Sequence, residues 1–285
     1  MGKRKNEMKK ISLILFVVFG FGLLENVVAD INSGLVAHYK FDGSANDSTV
    51  NGNNGTENGG VTYVAVKHGQ VANFDGNNDD VNVRHNSIFN LTTFSISGWI
   101  NVEDTSSNQK LFFKDQTNNF NHDFQLYINN SSLIVQLQNG SQQASLIAPS
   151  ITEGWHHVVF TSNGDSSNNL YMDSILKDTN SISWVLSGNT LDWSFGSFSV
   201  EDAYFKGQLD DVSIYNRVLS NTEIQELYQG SISCTSTGSA TVDSNLDIHI
   251  PLATFENSNI WIDLEYNGPS GFDHLWKLKD YGANQ

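Results

Sequence analysis

Residues 35–41 carry the pattern that decides the fold: Leu35-Val36-Ala37-His38-Tyr39-Lys40-Phe41, with an apolar side chain at every odd position. A period of two is typical of a β-strand that buries one face. Similar short runs recur along the chain between clusters of Asn, Gly and Ser, and Asn-Gly pairs at 139–140 and 163–164 are typical hairpin turns. The pattern predicts antiparallel hairpins stacked as an all-β sandwich. Further strands are predicted at 70–74, 80–83, 93–102, 110–114, 124–128, 132–138, 155–161, 170–172, 191–195 and 208–215.

Two segments depart from the strand pattern. Residues 42–60 are dominated by Asn, Gly and Ser and predict one long loop. Later, Ser220 and Glu223 have the spacing of a capping box, and Ile224, Leu227 and Tyr228 form an apolar stripe, which together predict a helix. Because strands and helices do not alternate, parallel-sheet enzyme folds are excluded.

The composition of the 285 residues excludes several classes of protein. A single cysteine excludes a disulfide framework and a cysteine-rich zinc site. Charged residues make up 16% of the chain, too few for a coiled coil, and a hydrophobic content of 39% excludes wholesale disorder. The formal charge of −16 would repel phosphate backbones, so nucleic acid is not an expected partner.

Residues 1–29 have the layout of a secretory signal peptide. A basic start precedes an apolar run at 11–24, and Val27-Val28-Ala29 supplies small residues for cleavage before Asp30. The run is shorter than the roughly 20 residues of a membrane-spanning helix, and an uncleaved anchor is the alternative. Cleavage would leave ten basic and 29 acidic side chains, a formal charge of −19. We therefore expect a secreted protein, extracellular or periplasmic, with no membrane insertion after cleavage.

The composition changes again at Gly230. Residues 231–239 are rich in Ser, Thr and Gly and predict a flexible linker, in which Cys234 is expected to be exposed. Alternating runs at 246–250 and 260–266 predict a small β module. The expected organisation is a signal peptide at 1–29, a sandwich domain at 30–230, a linker at 231–239 and a C-terminal module at 240–285. The module resembles short C-terminal segments of exported bacterial proteins.

Four motifs between residues 34 and 229 occur in a distinctive order. The first is the opening strand followed by Asn46-Asp47-Ser48, and the second is Ala72-Asn73-Phe74-Asp75-Gly76. The third comprises the strands around Trp99 and Trp155, and the fourth runs from 207 to 224. In this order and spacing they resemble laminin-G-like domains of the concanavalin A-like lectin/glucanase superfamily. The resemblance implies a two-sheet antiparallel jelly-roll sandwich, in agreement with the strand pattern.

Members of this superfamily are binding modules or glycosidases, and the residues favour a binding module. Retaining glycosidases need two carboxylates about 5 Å apart, and catalytic members of the superfamily place their acids at alternate positions of one strand. Asp263-Leu264-Glu265 lacks a third acid, and Asp210 and Asp211 point to opposite faces of a strand. His156 and His157 are also adjacent, which predicts one inward and one outward ring and no simple metal site. A catalytic pair from distant loops stays open.

The resemblance also implies a calcium site that joins the two ends of the domain. Its ligands would be Asp42, Asn46 and Asp47 after the first strand, with Asp210 and Asp211 from the closing strand. Calcium prefers carboxylate and amide oxygens, and an ion here would order the 42–60 loop. The alternative is that these acids only form turn hydrogen bonds. Residues 75–79 begin like a calcium-binding loop but lack its later glycine and terminal acid.

Glycan binding requires an exposed aromatic ring on which a sugar can stack. Trp99 and Trp155 lie in alternating strands and are expected in the interior. The candidates for ligand binding lie in or beside loops rich in Ser and Asn: Phe120, Trp184, Trp193 and Tyr204.

The sequence therefore predicts a secreted, non-catalytic recognition module that is stabilised by calcium. Its expected partners are glycans or glycoproteins of a cell surface or matrix. Two alternatives stay open: a polysaccharide-degrading enzyme of the same fold with unfamiliar acid placement, and a structural component in adhesion or a matrix.

Overall fold

The computed structural model describes residues 30–66, 69–115, 122–139, 142–186, 190–198, 203–229, 241–242 and 248–249. The chain divides into Met1–Asp30 and Ile31–Gln285, and all of the following elements belong to the second unit. The regular elements among the described residues are one α-helix, α1 (Asn221–Gln229), a 3-10 turn at Ser87–Phe89 and β-strands. The strands are β1 Leu35–Tyr39, β2 Gly55–Asn58, β3 Thr62–Ala65, β4 Gln70–Asp75, β5 Asp80–Val83, β6 Phe94–Val102, β7 Gln109–Asp115, β8 His122–Asn129, β9 Ser132–Asn139, β10 Gln142–Pro149, β11 Gly154–Ser162, β12 Asn168–Met172, β13 Ile175–Asn180, β14 Trp193–Phe195, β15 Ser197–Phe198, β16 Ala203–Tyr204, β17 Lys206–Tyr215, β18 Thr241–Val242 and β19 Ile248–His249.

The strands form two antiparallel sheets. The first has eight strands in the order β13-β12-β11-β6-β17-β4-β3, and β1 pairs with β17. The second has seven strands in the order β10-β9-β8-β7-β14-β5-β2. Two short pairs, β15–β16 and β18–β19, lie outside these sheets. The predicted two-sheet antiparallel jelly-roll sandwich with one helix after the closing strand is confirmed.

The core lies between the sheets and follows the period-two pattern. In β8, Phe124, Leu126 and Ile128 are fully buried in the core, so the alternate residues Gln125 and Tyr127 point to the other face. Because a slip of one residue would turn every apolar side chain of a strand to solvent, this alternation fixes the register of each pair. Aromatic rings fill the middle of the core, where Phe94, Phe124, Phe160 and Trp184 contact one another.

Helix α1 packs on the outer face of the first sheet. The Ser220 hydroxyl accepts a hydrogen bond from the Glu223 N–H at 3.3 Å, and the Glu223 carboxylate accepts one from the Ser220 N–H at 2.7 Å, as predicted for a capping box. Tyr228 stacks on Trp99 with 5.6 Å between ring centroids. Trp99 is therefore buried as predicted, although beneath the helix and not between the sheets. Trp155 is only half-buried, so its predicted interior position is wrong.

In the two main sheets, four strands occur where the sequence pattern predicts none, and all four are edge strands. One of them, β2, lies within 42–60, so the prediction of a single loop there is wrong. The short strands β15, β16 and β18 were not predicted either. β3 and β13 end the first sheet, and β2 and β10 end the second. A strand at an edge packs fewer side chains against the core and so shows a weaker alternation, as in β13, where Ile175 and Leu176 are both exposed. Asp178 of β13 accepts a hydrogen bond from the backbone N–H of Ile147 in β10 at 2.8 Å. This carboxylate therefore satisfies one backbone N–H group of the edge strand β10.

Several predicted features lie outside the described residues. They are the signal peptide at 1–29, the linker with Cys234, and most of the C-terminal module. Within the module the structure describes β18 and β19, which pair in antiparallel fashion, and β19 falls in the predicted run at 246–250.

Candidate functional site

Asp47, one of the predicted calcium ligands, organises the loop after β1. Its side chain is buried, and Oδ1 accepts hydrogen bonds from the backbone N–H groups of His38 at 3.0 Å and Thr49 at 2.9 Å. Oδ2 accepts from the Thr49 hydroxyl and from the Asn53 N–H, both at 2.9 Å. A carboxylate offers about four lone-pair positions, and these donors use all of them. Hydrogen bonds within the protein therefore tie the 42–60 segment to the first sheet.

Asp42 and Asn46, two more of the predicted ligands, are exposed on this loop. Oδ1 of Asp42 accepts a hydrogen bond from the Gln70 N–H at 2.8 Å, so this carboxylate connects the loop to the start of β4. Asp42 and Asp47 thus each have a structural task at a different point of the loop.

Asp210 and Asp211, the remaining predicted ligands, lie at a bulge in β17. Asp211 has a φ of 47°, in the left-handed region, where the pairing of β17 with β6 shifts register between Asp210 and Ser213. The bulge places Oδ1 of Asp211 3.1 Å from Nε2 of His38, while Asp210 is buried. His38 therefore connects the two carboxylates: its backbone N–H donates to Asp47, and its ring contacts Asp211. Within the described part of the chain, no group of three or more His, Cys, Asp or Glu side chains could hold a metal ion, and calcium at this place stays a prediction.

Two of the four predicted ligand-binding aromatics are buried, so their assignment to the surface is wrong. Trp184 is 1% exposed, packs in the core and donates a hydrogen bond to the Gln138 carbonyl at 3.2 Å. Trp193 is fully buried in β14, where its ring lies 5.7 Å from that of Phe124. Their Ser- and Asn-rich neighbours in sequence do not reveal this burial, because the partners come from distant strands. Phe120 lies outside the described residues.

Tyr204, the fourth predicted aromatic, is half-buried in β16. The β15–β16 pair contacts β7, and the backbone N–H of Lys206 donates to the Gln109 side chain at 2.7 Å. Tyr204 is thus the predicted ligand-binding residue that the structure places beside the second sheet.

The outer face of the second sheet carries two rows of side chains across β7, β8, β9 and β10. Cross-strand pairing aligns each row nearly at right angles to the strands. We call the eight residues the Tyr127 face: the first row is Phe113, Gln125, Gln136 and Ser145, and the second row is Lys110, Tyr127, Ile134 and Ile147.

Four side chains of the Tyr127 face form a connected network. The Lys110 ammonium donates a hydrogen bond to Oε1 of Gln125 at 2.8 Å and lies 4.2 Å from the centroid of the Tyr127 ring. The Tyr127 hydroxyl is 3.5 Å from Oε1 of Gln136. Lys110 and Gln125 are buried, at 4% and 1% exposed, whereas Tyr127 and Gln136 are half-buried. The face thus combines a buried ammonium group with a half-buried aromatic ring, and both glutamine amides lie in the row next to that ring.

Part of this face can be recognised in the sequence of β8, although it contains no loop aromatic. Polar Gln125 and aromatic Tyr127 occupy the alternate positions of β8 between core residues, which predicts that both point outward. The short turn between β8 and β9 sets the pairing of Gln125 with Gln136. The position of Lys110 depends on the pairing of β7 with β8 across a bulge, which local sequence does not reveal.

The adjacent histidines behave as predicted. His157 is buried and its Nε2 lies 2.8 Å from the Ser97 hydroxyl, and burial lowers the pKa of His157 to about 3. His156 turns to the other side and places Nδ1 2.9 Å from the Asp173 carboxylate. The two rings therefore have different partners and do not share a ligand site.

Comparison with known proteins agrees with the fold. Among the described residues, no helix has the length and apolarity needed to cross a membrane. A search of curated protein sequences finds no significant relative. A similar solved structure is domain 4 of AbnA, an extracellular GH43 arabinanase from Geobacillus stearothermophilus, in complex with arabinotriose. It is 21% identical with a TM-score of 0.58, and the match covers 68% of this chain and 98% of that one.

Receptor-binding domains of clostridial toxins have the same fold. The binding domain of Paraclostridial Mosquitocidal Protein 1 is 18% identical with a TM-score of 0.58, covering 78% of this chain and 64% of that one. The binding domain of botulinum neurotoxin DC in complex with SialylT is 16% identical with a TM-score of 0.55, covering 72% and 54%. This chain thus spans about half to two thirds of the length of these toxin domains.

The family model of the concanavalin A-like lectin/glucanases superfamily named Laminin_G_3 matches residues 75–225. The match covers more than half of the chain and includes most strands of both sheets and the beginning of α1. By this match and by its two-sheet architecture, the chain belongs to the laminin-G-like branch of the concanavalin A-like lectin/glucanases superfamily.

Proposed function

We propose that the chain is a non-catalytic module that binds glycans, free or on glycoproteins, through the Tyr127 face. One observation carries the proposal: a half-buried tyrosine ring lies beside two paired glutamine side chains on the outer face of the second sheet. Sugar rings pack their C–H groups on aromatic faces, while their hydroxyls need donors and acceptors at the ring edge. A few polar groups around an apolar floor are typical of small-ligand sites.

Known structures with this fold support the ligand class. The similar arabinanase domain was solved with arabinotriose, and a similar neurotoxin binding domain with SialylT. The binding domain of botulinum neurotoxin DC was also solved with a protein, rat synaptotagmin II. These ligands belong to those proteins, and they support recognition of a glycan or glycoprotein by the same scaffold.

The composition of the face favours binding over hydrolysis. Neither row of the Tyr127 face contains an Asp or Glu, whereas glycoside hydrolysis needs two carboxylates flanking the scissile bond. A reducing-sugar assay on the purified protein with polysaccharides that bind to it tests the enzyme alternative. Release of reducing ends that survives Tyr127→Ala would place catalysis elsewhere on the sandwich.

A glycan array, run with and without calcium, is the test of binding. We expect glycan binding by the wild type and about tenfold weaker binding after Tyr127→Ala, because ring stacking contributes on the order of 1 kcal/mol or more. Tyr63→Ala is the matched control, since Tyr63 is also half-buried but lies on β3 of the first sheet. Equal binding by wild type and Tyr127→Ala would contradict the proposal. Self-association without any glycan bound would favour a structural role in a matrix or in adhesion.

Export is part of the same proposal. The signal-peptide pattern at 1–29 supports a secreted product that begins at or near Asp30. The intact mass of the secreted product measures this directly, and a mass that still includes residues 1–24 would favour the uncleaved anchor.

A further inference from the structure

A row of polar side chains crosses the outer face of the first sheet and ends at Trp155. We call its five residues the Trp155 row: Thr62, Asn73, Gln208, Asn101 and Trp155, which are direct cross-strand neighbours on β3, β4, β17, β6 and β11. The next residues along three of these strands, Phe74, Leu209 and Ile100, belong to the core, so the row points outward. Because adjacent strands lie about 4.8 Å apart, the row extends for roughly 19 Å.

The three amides in the middle of the row are joined by hydrogen bonds. Nδ2 of Asn101 donates to Oε1 of Gln208 at 3.0 Å, and Nε2 of Gln208 donates to Oδ1 of Asn73 at 3.4 Å. All three side chains are half-buried, and they make no other hydrogen bond with the described residues. Since an amide has two donor hydrogens and an oxygen that accepts twice, these bonds use only a part of the hydrogen-bonding capacity of the row.

Trp155 supplies an aromatic ring at one end of the row. It is half-buried and makes no hydrogen bond or ring contact with the described residues. The neighbouring Trp99, two positions before Asn101 on β6, is by contrast buried beneath Tyr228 of α1. The helix therefore covers Trp99, whereas no ring of the helix stacks on Trp155. An aromatic ring beside amides is the combination that binds the C–H face and the hydroxyls of a sugar.

The charges around the row favour an uncharged ligand. The row itself contains no titratable side chain. Beside it on the same face lie Asp75, Lys206 and Glu103, two residues along β4, β17 and β6, and the Lys206 ammonium is 3.9 Å from the Glu103 carboxylate. Two carboxylates against one ammonium, on a chain with a formal charge of −16, would repel an anionic ligand.

We propose that the Trp155 row is a second carbohydrate site, which binds an extended, uncharged oligosaccharide. One sugar stacks on Trp155, and the hydroxyls of the following sugars bind the amides of Asn101, Gln208 and Asn73. The inference rests on the proposed function for the class of ligand but uses a different face. Because the Tyr127 face belongs to the second sheet, the two sites point to opposite sides of the sandwich, and one module can hold two glycan chains together.

The Tyr127→Ala variant isolates the second site for isothermal titration calorimetry. The probes are arabinotriose and β-linked hexamers of glucose, xylose and mannose. Tyr127→Ala should still bind at least one of them, and the added substitution Trp155→Ala should weaken this binding about tenfold through loss of ring stacking. Trp155→Tyr keeps an aromatic ring and should retain most of the affinity. Tyr63→Ala is the matched control in the same variant, since Tyr63 is also half-buried on the first sheet but packs against the core.

The amides, the charge preference and the bridging are tested separately. Gln208→Ala removes both hydrogen bonds of the row and should weaken binding to Tyr127→Ala protein several-fold, which also decides the matter if Trp155→Ala fails to fold. A hexamer of mannuronic acid should bind this protein about tenfold more weakly than the mannose hexamer. Wild-type protein should cross-link the soluble polysaccharide that corresponds to the bound hexamer, seen by dynamic light scattering, and Tyr127→Ala or Trp155→Ala alone should prevent it.

The outcomes separate this inference from the proposed function. If Tyr127→Ala binds none of the neutral probes while the wild type does, the Trp155 row is not a site and the Tyr127 face is retained. Equal affinity with and without Trp155→Ala, or tighter binding of the mannuronic acid hexamer, would also overturn the inference. Binding that depends on Trp155 and not on Tyr127 would retain the row and overturn the Tyr127 face. If the wild type binds charged glycans alone, the second site is excluded and the proposed function stands.

Discussion

Replacing Asp47 by Asn should destabilise the domain strongly for a residue in a surface loop. The carboxylate accepts four hydrogen bonds, three of them from backbone N–H groups. An asparagine keeps one oxygen, which can still serve His38 and Thr49, but its NH₂ group then faces the N–H of Asn53. A hydrogen bond to a charged group contributes about 1.5–3 kcal/mol. Loss of one such bond and of the charge in the others predicts a decrease in the free energy of unfolding of about 2–3 kcal/mol.

Urea unfolding followed by tryptophan fluorescence measures this difference. The midpoint should shift to lower urea with an unchanged slope, because the variant changes stability and not the surface exposed on unfolding. Asp42→Asn is the matched control: Asp42 is exposed, accepts one hydrogen bond from Gln70 and can keep it with its remaining oxygen. If Asp47→Asn unfolds at the same urea concentration as Asp42→Asn, the hydrogen bonds of Asp47 do not hold the loop.

Three further predictions concern the core, pH and calcium. Trp193→Ala should lower the free energy of unfolding by about 3–5 kcal/mol, because the Trp193 ring is fully buried. Trp155→Ala should lower it clearly less, because Trp155 is only half-buried. Equal unfolding midpoints in urea for the two variants would contradict this difference in burial. Burial lowers the pKa of His157 to about 3, against about 6.5 when unfolded, so only the unfolded chain gains this proton as pH falls between these values, and stability decreases with it. His157→Gln should flatten the dependence of melting temperature on pH in that window, and an unaltered dependence would show that another group causes it. Calcium binding stays a prediction: chelator should lower the melting temperature and Asp211→Ala should remove this sensitivity, while an unchanged melt would mean that the hydrogen bonds of the loop suffice.

The inner strands of the two sheets were predicted from the sequence, and the four edge strands β2, β3, β10 and β13 were not. The pattern around Phe124, Leu126 and Ile128 predicted β8 because burial imposes a period of two. At β3 and β13 most side chains are exposed, so burial does not impose a period of two on the sequence there. The capping box at Ser220 was predictable because all of its partners are local.

Side-chain partners that are distant in the chain account for the remaining errors. Trp193 lies in a three-residue strand between β5 and β7, and its burial depends on residues far away in sequence. The same applies to the predicted calcium ligands: Asp47 could be identified as important for the loop, but its donors include His38 on the preceding strand. For the Tyr127 face, the outward direction of Gln125 was predictable, whereas its contact with Lys110 needed the register of β7.

The two ends of the domain determine how the Tyr127 face can be displayed. Ile31, near the start, and Leu227, in the last turn of α1, pack in the same apolar cluster on the outer face of the first sheet. The Tyr127 face belongs to the second sheet, on the opposite side of the sandwich. A tether at either end would therefore leave from the back of the domain and point the face away from its anchorage. Several copies attached to one support would present their rings outward together, so that weak single contacts could add up to firm attachment.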